Sequence, residues 1–279
     1  MSEFNMAWDI DSEREYETGV DHGVLFTQKA PAKLTGGAYN KCAYGKATVW
    51  NGLNSVTETP GGAEANNIYA DNIKYAILRS AETIGGTIEA YMYPPEFGEC
   101  NGEASPVTGV HVGQQKRKPF GFSFRTDVGD DEDSVVDPNA DYKLHLWYNC
   151  TAKPSDRQYQ TINESPEAIT FSWEIETTPI AFRSQTYSNL LPTASLTIDS
   201  RQFVDANAAK LTALLEVLYG TAAVAAVTGH GNVGDDDYVA PVAAQDAVPG
   251  YLPTPDAVLD ILSTGTKPDV TTEIDRGNP

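Results

Sequence analysis

Basic side chains are scarce in this sequence: 19 lysines and arginines stand against 39 aspartates and glutamates, a formal net charge of -20 over 279 residues. Wrapping a nucleic acid needs clustered Lys and Arg against phosphates, so the deficit argues against that role. Cysteine is scarce too. Cys42, Cys100 and Cys150 form no CxxC pair and no Cys/His cluster, so no metal site is expected, and an odd count without a signal peptide points to reduced thiols. No stretch approaches the ~18 apolar residues of a membrane-spanning helix, and the N-terminal "MSEFNMAWDIDSEREYETG" is acidic where a leader would be apolar. The expectation is a soluble protein made in a cytoplasm, with no metal, cofactor or membrane partner. The length suits one all-β domain carrying insertions.

What the sequence does have is period-two alternation, the signature of strands that bury one face. In "NIKYAILRS" Ile73, Tyr75 and Ile77 share a face. "GGTIEAYMYP" sets Ile88, Ala90 and Met92 against Thr87, Glu89, Tyr91 and Tyr93, and "KPFGFSFRT" aligns Phe120, Phe122 and Phe124. "DYKLHLWYN" sets Tyr142, Leu144, Leu146 and Tyr148 against Lys143, His145 and Trp147, while "TFSWEIETT" sets Phe171, Trp173 and Ile175 against Ser172, Glu174 and Glu176. Turn residues such as "IGG" and "DPNAD" separate the runs. The fold class expected is mainly β, an antiparallel sandwich or barrel.

One segment breaks the rhythm. Asp205 is expected as N-cap, a helix follows over 206–219 with Ala208, Leu211, Leu214, Leu215 and Leu218 at helical spacing, and Gly220 closes it. Residues 221–250, rich in Ala, Gly, Val and Asp, read as a surface loop. "YLPTPDAVLDIL" can form a strand or a short helix, and the last residues read as an extended arm.

The chemistry-bearing candidates are few. Glu174 and Glu176, two apart on a strand, lie about 6.8 Å apart along the chain, comparable to glycosidase carboxylate pairs. A catalytic acid needs a pocket to raise its pKa, however, and Thr170 and Ser172 occupy the rest of that face. "DVGDDEDSVVDPNAD" is rich in Ca²⁺-type ligands but lacks the EF-hand order, and reads as a hairpin loop. His22, His111, His145 and His230 stand in no nucleophile motif, and "GHGNVG" has no strand-to-helix context for phosphate. "KRK", Lys116 to Lys118, is the one basic cluster.

In six blocks the chain resembles the major tail tube proteins of long-tailed bacteriophages: "EREYETGVDHGVL" (13–25), "GKATVWNGLNSVTETPGGAEANNIYADNIKYAIL" (45–78), "GGTIEAYMYPPEFGECNG" (85–102), "GQQKRKPFGFSFRT" (113–126), "YKLHLWYNCTAKPSDRQYQTINESPEAITFSWEIETTPI" (142–180) and "ASLTIDS" (194–200). The likeness covers most of residues 8–220. Residues 221–250 look like an insertion, and the C-terminal arm also departs from the pattern.

The resemblance implies a structural virion protein: a β-sandwich with one flanking helix over 23–220, an N-terminal arm over 1–22, the insertion, and a C-terminal strand or arm over 251–279. The arms are expected to order only on stacking. The implied assembly is hexameric rings stacked into a tube in the phage tail, with tape measure, tail terminator and distal tail proteins as partners. Double-stranded DNA would pass through unbound. Lumen-facing candidates are then Glu89, Glu174, Glu176, Ser172 and Thr87. Inter-subunit candidates are Thr59, Pro60, Gly61, Gly62, Glu64 and Asn66, on an expected long loop over 54–72, and Lys116, Arg117 and Lys118. The alternative is a carbohydrate-binding or glycoside-cleaving β-sandwich module of the tail-tip type.

Overall fold

The computed structural model of the protein describes residues 14–28, 44–62, 65–79, 82–129, 141–159, 161, 168–182, 184–187, 189–226 and 246–268. Strands β1 (Tyr16–Gln28), β2 (Tyr44–Trp50), β3 (Leu53–Gly62), β4 (Ala65–Ala70), β5 (Ile73–Arg79) and β6 (Glu82–Ala90) come first. A single helical turn α1 (Phe97–Cys100) and a small hairpin, β7 (Ala104–Val107) with β8 (Val110–Val112), lead to β9 (Phe120–Gly129), β10 (Tyr142–Ala152), β11 (Phe171–Thr177) and β12 (Ser195–Asp199). Helix α2 (Ala208–Tyr219), the two-residue strands β13 (Gly220–Thr221) and β14 (Val248–Pro249), and helix α3 (Pro255–Thr264) follow. The antiparallel, mainly β class expected from the alternation is what the chain adopts.

The principal sheet runs β2-β1-β9-β10-β11-β6-β3, with β12 also on β10. β10 joins its two halves by changing partner. Its residues Lys143–Trp147 pair with β12, and Cys150–Ala152 pair with β11. Between them Asn149 adopts φ 48 and the register against β9 shifts. Asn tolerates this left-handed conformation better than a β-branched residue, and such a bulge bends a strand. Side-chain direction flips there: Leu144, Leu146 and Tyr148 enter one core, and Trp147, Cys150 and Ala152 the other.

The first core lies between β1, β2 and β10 and the two helices, and gathers Val24, Phe26, Tyr44, Leu211, Leu214, Leu218, Leu252, Val258 and Ile261. The second fills the sandwich interior with Trp50, Ile88, Phe97, Phe120, Phe122, Trp147, Trp173 and Ile175. Its rings meet edge to face, Trp50 at 5.5 Å from Phe122 and 5.6 Å from Trp173. Truncating one of these aromatics to Ala removes about 3–5 kcal/mol. The order of layers is therefore helices, β2-β1-β9-β10, then β11-β6-β3, whose far side faces water.

Several expectations are corrected. Residues 54–72 are not a loop: 53–62 pair with β6, and 65–79 form the β4–β5 hairpin. Pro60 misled because it denotes loops, yet it stands on β3, the terminal strand of the sheet order, where a missing N–H is tolerated. Residues 16–22 do not form a separate arm, since Tyr16, Glu17, Thr18 and Asp21 pair with β9. Met92 is exposed, because β6 ends at Ala90. Asp205 opens a 3-10 turn, and the α-helix begins at Ala208, which is exposed. Leu211, Leu214 and Leu218 are buried as expected, joined by Ala213 and Val217.

Residues 251–264 also depart from an arm. Thr254 caps α3 by accepting from the Ala257 N–H at 3.3 Å, Pro255 sits in the first turn, and Gly265 ends it at φ 75. Val258 and Ile261 are buried in the same core as α2, so α3 packs into it rather than extending away. Residues 269–279 and 1–13 lie outside the described residues, as does 227–245 of the insertion. Its ends are joined by antiparallel pairing of Gly220 with Pro249 and Thr221 with Val248.

Candidate functional site

The far side of the β11-β6-β3 layer is a broad polar face, and it brings all five lumen-facing candidates together. Period two forces this. With Trp173, Ile175 and Ile88 committed to the core, Ser172, Glu174, Glu176, Thr87 and Glu89 must point the other way. Register then sets neighbours: Glu174 is opposite Thr87, and Ser172 is opposite Glu89. β3 extends the face with Ser55 opposite Glu89, Thr57 opposite Thr87 and Thr59 opposite Gly85. Ser55 Oγ donates to Glu89 Oε2 at 2.9 Å, and Asn54 Nδ2 donates to the same oxygen at 3.4 Å.

Lys153 joins this face just beyond β10, with Nζ 2.5 Å from Glu174 Oε1. The hydrogen bond to Glu174 raises the ammonium pKa above its ordinary value. Sequence reasoning missed Lys153 because only the β10–β11 register places it there. It missed Ser55, Thr57 and Thr59 as a strand face although "NSVTET" alternates, because the following "PGG" suggested a loop.

The arrangement does not support the glycosidase reading of Glu174 and Glu176. Both are exposed, and Glu174 is engaged by Lys153. One other constellation resembles a catalytic group: Ser105 Oγ lies 3.1 Å from His111 Nδ1, and Glu103 Oε2 lies 3.9 Å from it. Both approach the same nitrogen. A relay needs acid and nucleophile on opposite ring nitrogens, so this is a surface hydrogen-bond cluster. No group of three His, Cys, Asp or Glu able to hold a metal occurs among the described residues.

The inter-subunit candidates divide. Thr59, Pro60, Gly61 and Gly62 pair with Gly85, Ile84, Thr83 and Glu82 on β6, and Asn66 pairs with Leu78 across the hairpin. Glu64 lies outside the described residues. Arg117 donates from Nη1 to the Ala152 carbonyl at 2.7 Å, and Lys118 pairs with Glu99 at 2.5 Å, so both serve their own chain. Lys116 is exposed.

The feature that sequence reading left unnoticed is the hairpin itself. Among the described residues β4 and β5 pair only with each other, yet carry Ile68, Tyr69, Ile73, Tyr75, Ile77 and Leu78, all exposed, Tyr69 at 68% and Tyr75 at 72%. The alternation of Ile73, Tyr75 and Ile77 was visible, but it reads as a buried strand, and burial against another molecule leaves no different mark.

A comparison with curated proteins finds no match. A family model described as phage tail tube protein matches residues 14–226. That span begins just before β1 and includes the sandwich core, most of the helical core, the polar face and the exposed hairpin, and ends beyond β13; Leu252 and α3 lie outside it although they pack into the helical core. A match over most of the chain, on a β-sandwich of this kind, identifies the protein as a member of the phage tail tube protein family, a structural component of the virion tail.

Proposed function

We propose that the chain assembles as hexameric rings that stack into the tail tube of a long-tailed phage, and that the genome passes through the bore into the host. The observation that carries this reading is the polar face with Glu89, Glu174 and Glu176, set on the opposite side of the sandwich from α2 and α3. Turned inward, it gives the lumen carboxylates and hydroxyls, Ser172 and Thr87 among them. Like charge keeps a duplex hydrated and moving, whereas repeated Lys or Arg would hold its phosphates. Lys153, tied to Glu174, adds little attraction of its own.

Ring closure answers a second problem. β2 and β3 end the sheet order, and open edges invite uncontrolled pairing that a closed barrel of neighbouring subunits removes. The β4–β5 hairpin, with Asn66 near its base, reaches a neighbouring subunit, as does the exposed Lys116 beside Arg117 and Lys118. The paired ends of the 221–250 segment lie on the helical side, away from the polar face. In a tube with that face inward, these ends lie on the outer side. Tape measure, tail terminator and distal tail proteins complete the tail.

Negative-stain microscopy of the purified protein tests the reading. Rings or hollow filaments are expected. A small monodisperse particle that binds or cleaves a glycan would overturn it in favour of a tail-tip module.

A further inference from the structure

We propose that Tyr75 of one copy enters an apolar groove of a second copy lined by His22, Gly23, Val24, Ala47, Val49 and Tyr219. This rests on the tube reading and names the contact that joins successive subunits.

The donor is specified by a bulge. The hairpin register runs Asn67 to Ile77 and Ile68 to Ala76, then shifts to Tyr69 opposite Lys74, leaving Tyr75 with no residue across from it. Bulges re-aim side chains, and Tyr75 is the most exposed of the large apolar residues on the hairpin. A lone two-stranded ribbon is marginal in water, and a contiguous exposed apolar surface marks an interface.

The acceptor is specified by where α2 stops. The helix ends at Gly220 before it covers the end of β1 and β2, which leaves Val49 64% exposed and opens a groove of about 200 Å³. That is below the ~300–1,000 Å³ of pockets for drug-sized ligands, and suits a single ring. Its walls are apolar at Val24, Ala47 and Val49. His22 gives it a polar group for a phenol, the amphipathic match that makes Tyr a common interface anchor.

Lys74 adjoins Tyr75, and Asp21, 2.8 Å from His22 and 3.4 Å from Arg125 of its own chain, adjoins the groove. Donor and acceptor are also different surfaces of one chain. Such a contact is heterologous, and repetition closes into a ring or runs on as an open stack according to the rotation between copies. A tube of stacked rings uses contacts of this head-to-tail kind.

The test is a double-mutant cycle on the critical concentration for polymerisation of the full chain, with Tyr75→Ala, Val49→Asp and the double variant. Each position is exposed, so thermal unfolding should stay near that of the parent; if Val49→Asp unfolds, Val49→Lys takes its place. Each single change is expected to raise the critical concentration about tenfold or more, and the double variant no further, because both remove one contact. A single variant that polymerises like the parent, or deficits that multiply in the double variant, would overturn the groove contact while leaving the tube intact. A parent protein that never polymerises defeats the tube reading instead.

Discussion

Gly86 lies against the indole of Trp147: a methyl group built on its Cα falls 2.6 Å from Cη2 of that ring and still closer to the Thr57 carbonyl oxygen. The indole is held in turn by donation from its Nε1 to Glu58 Oε1 at 3.0 Å. Gly86→Ala should therefore destabilise the fold by about 1–3 kcal/mol through overpacking. Urea unfolding followed by tryptophan fluorescence reads this directly. Unchanged stability would mean that the sandwich halves are not in contact at this point.

Excision of the hairpin is the cleanest test of assembly. Gly62 and Glu82 are paired across β3 and β6, so their ends are already adjacent and a short Gly/Ser turn can replace residues 64–80. The trimmed chain should fold and stay monomeric. Normal tubes from it would exclude the hairpin from every inter-subunit contact.

Changing Glu174 and Glu176 together to Lys probes the bore. Exposed positions usually shift stability within ~0.5 kcal/mol, although Lys153 loses its partner and gains like-charged neighbours. Tubes should form, and DNA ejection should slow, most strongly at low salt where screening is weakest. Ejection at the parental rate at all salt concentrations would place this face elsewhere.

Stability should fall on acidification in two stages. Burial lowers the pKa of His145, which stacks on Phe124 at 4.6 Å and contacts Thr126 at 3.0 Å, with Glu58, Glu17 and Lys143 as charged neighbours. The unfolded chain thus binds a proton more readily than the folded one. The stability this costs is lost as pH drops below the ordinary histidine value of about 6.5. Lower down, Glu17 and Asp199 are held below the ordinary carboxylate range, by Lys143 and Thr126 in one case and Arg201 in the other. Their contribution is present above about pH 4 and is lost as pH falls through the depressed values. Denaturant midpoints against pH should show both limbs, and His145→Gln should flatten only the upper one.

Burial pushes the Cys100 thiol up to about 12 and raises Cys150 as well. In denaturant all three cysteines should react with a thiol reagent; in the native protein at pH 8, at least two fewer should. Full native reactivity would contradict the packing of the sandwich interior.

The parts of this fold that were legible in sequence are those where one physical rule acts alone. Phe120, Phe122 and Phe124 alternate without interruption, and Glu174 and Glu176 follow from Trp173 and Ile175. Leu211, Leu214 and Leu218 with Gly220 announce a helix. Where two rules compete, reading failed. Pro60 and Gly61 outvoted the alternation of Ser55, Thr57 and Thr59, although an edge strand admits both. The bulge at Asn149 moved Cys150 and Ala152 to the opposite core from Leu144, Leu146 and Tyr148, an effect visible only in the register. α3 is short, and its burial depends on a sheet distant in sequence.

The clasp formed by Gly220–Thr221 and Val248–Pro249 separates the length of the segment between them from the packing of everything else. Once the ends are joined, each doubling of the chain between them costs only ~0.6 kcal/mol in closure entropy. The fold can therefore accept a longer or foreign peptide there without redesign of the body. Repeated in every subunit of a tube, such a segment makes a lattice on which a grafted sequence would be displayed at regular spacing along a filament.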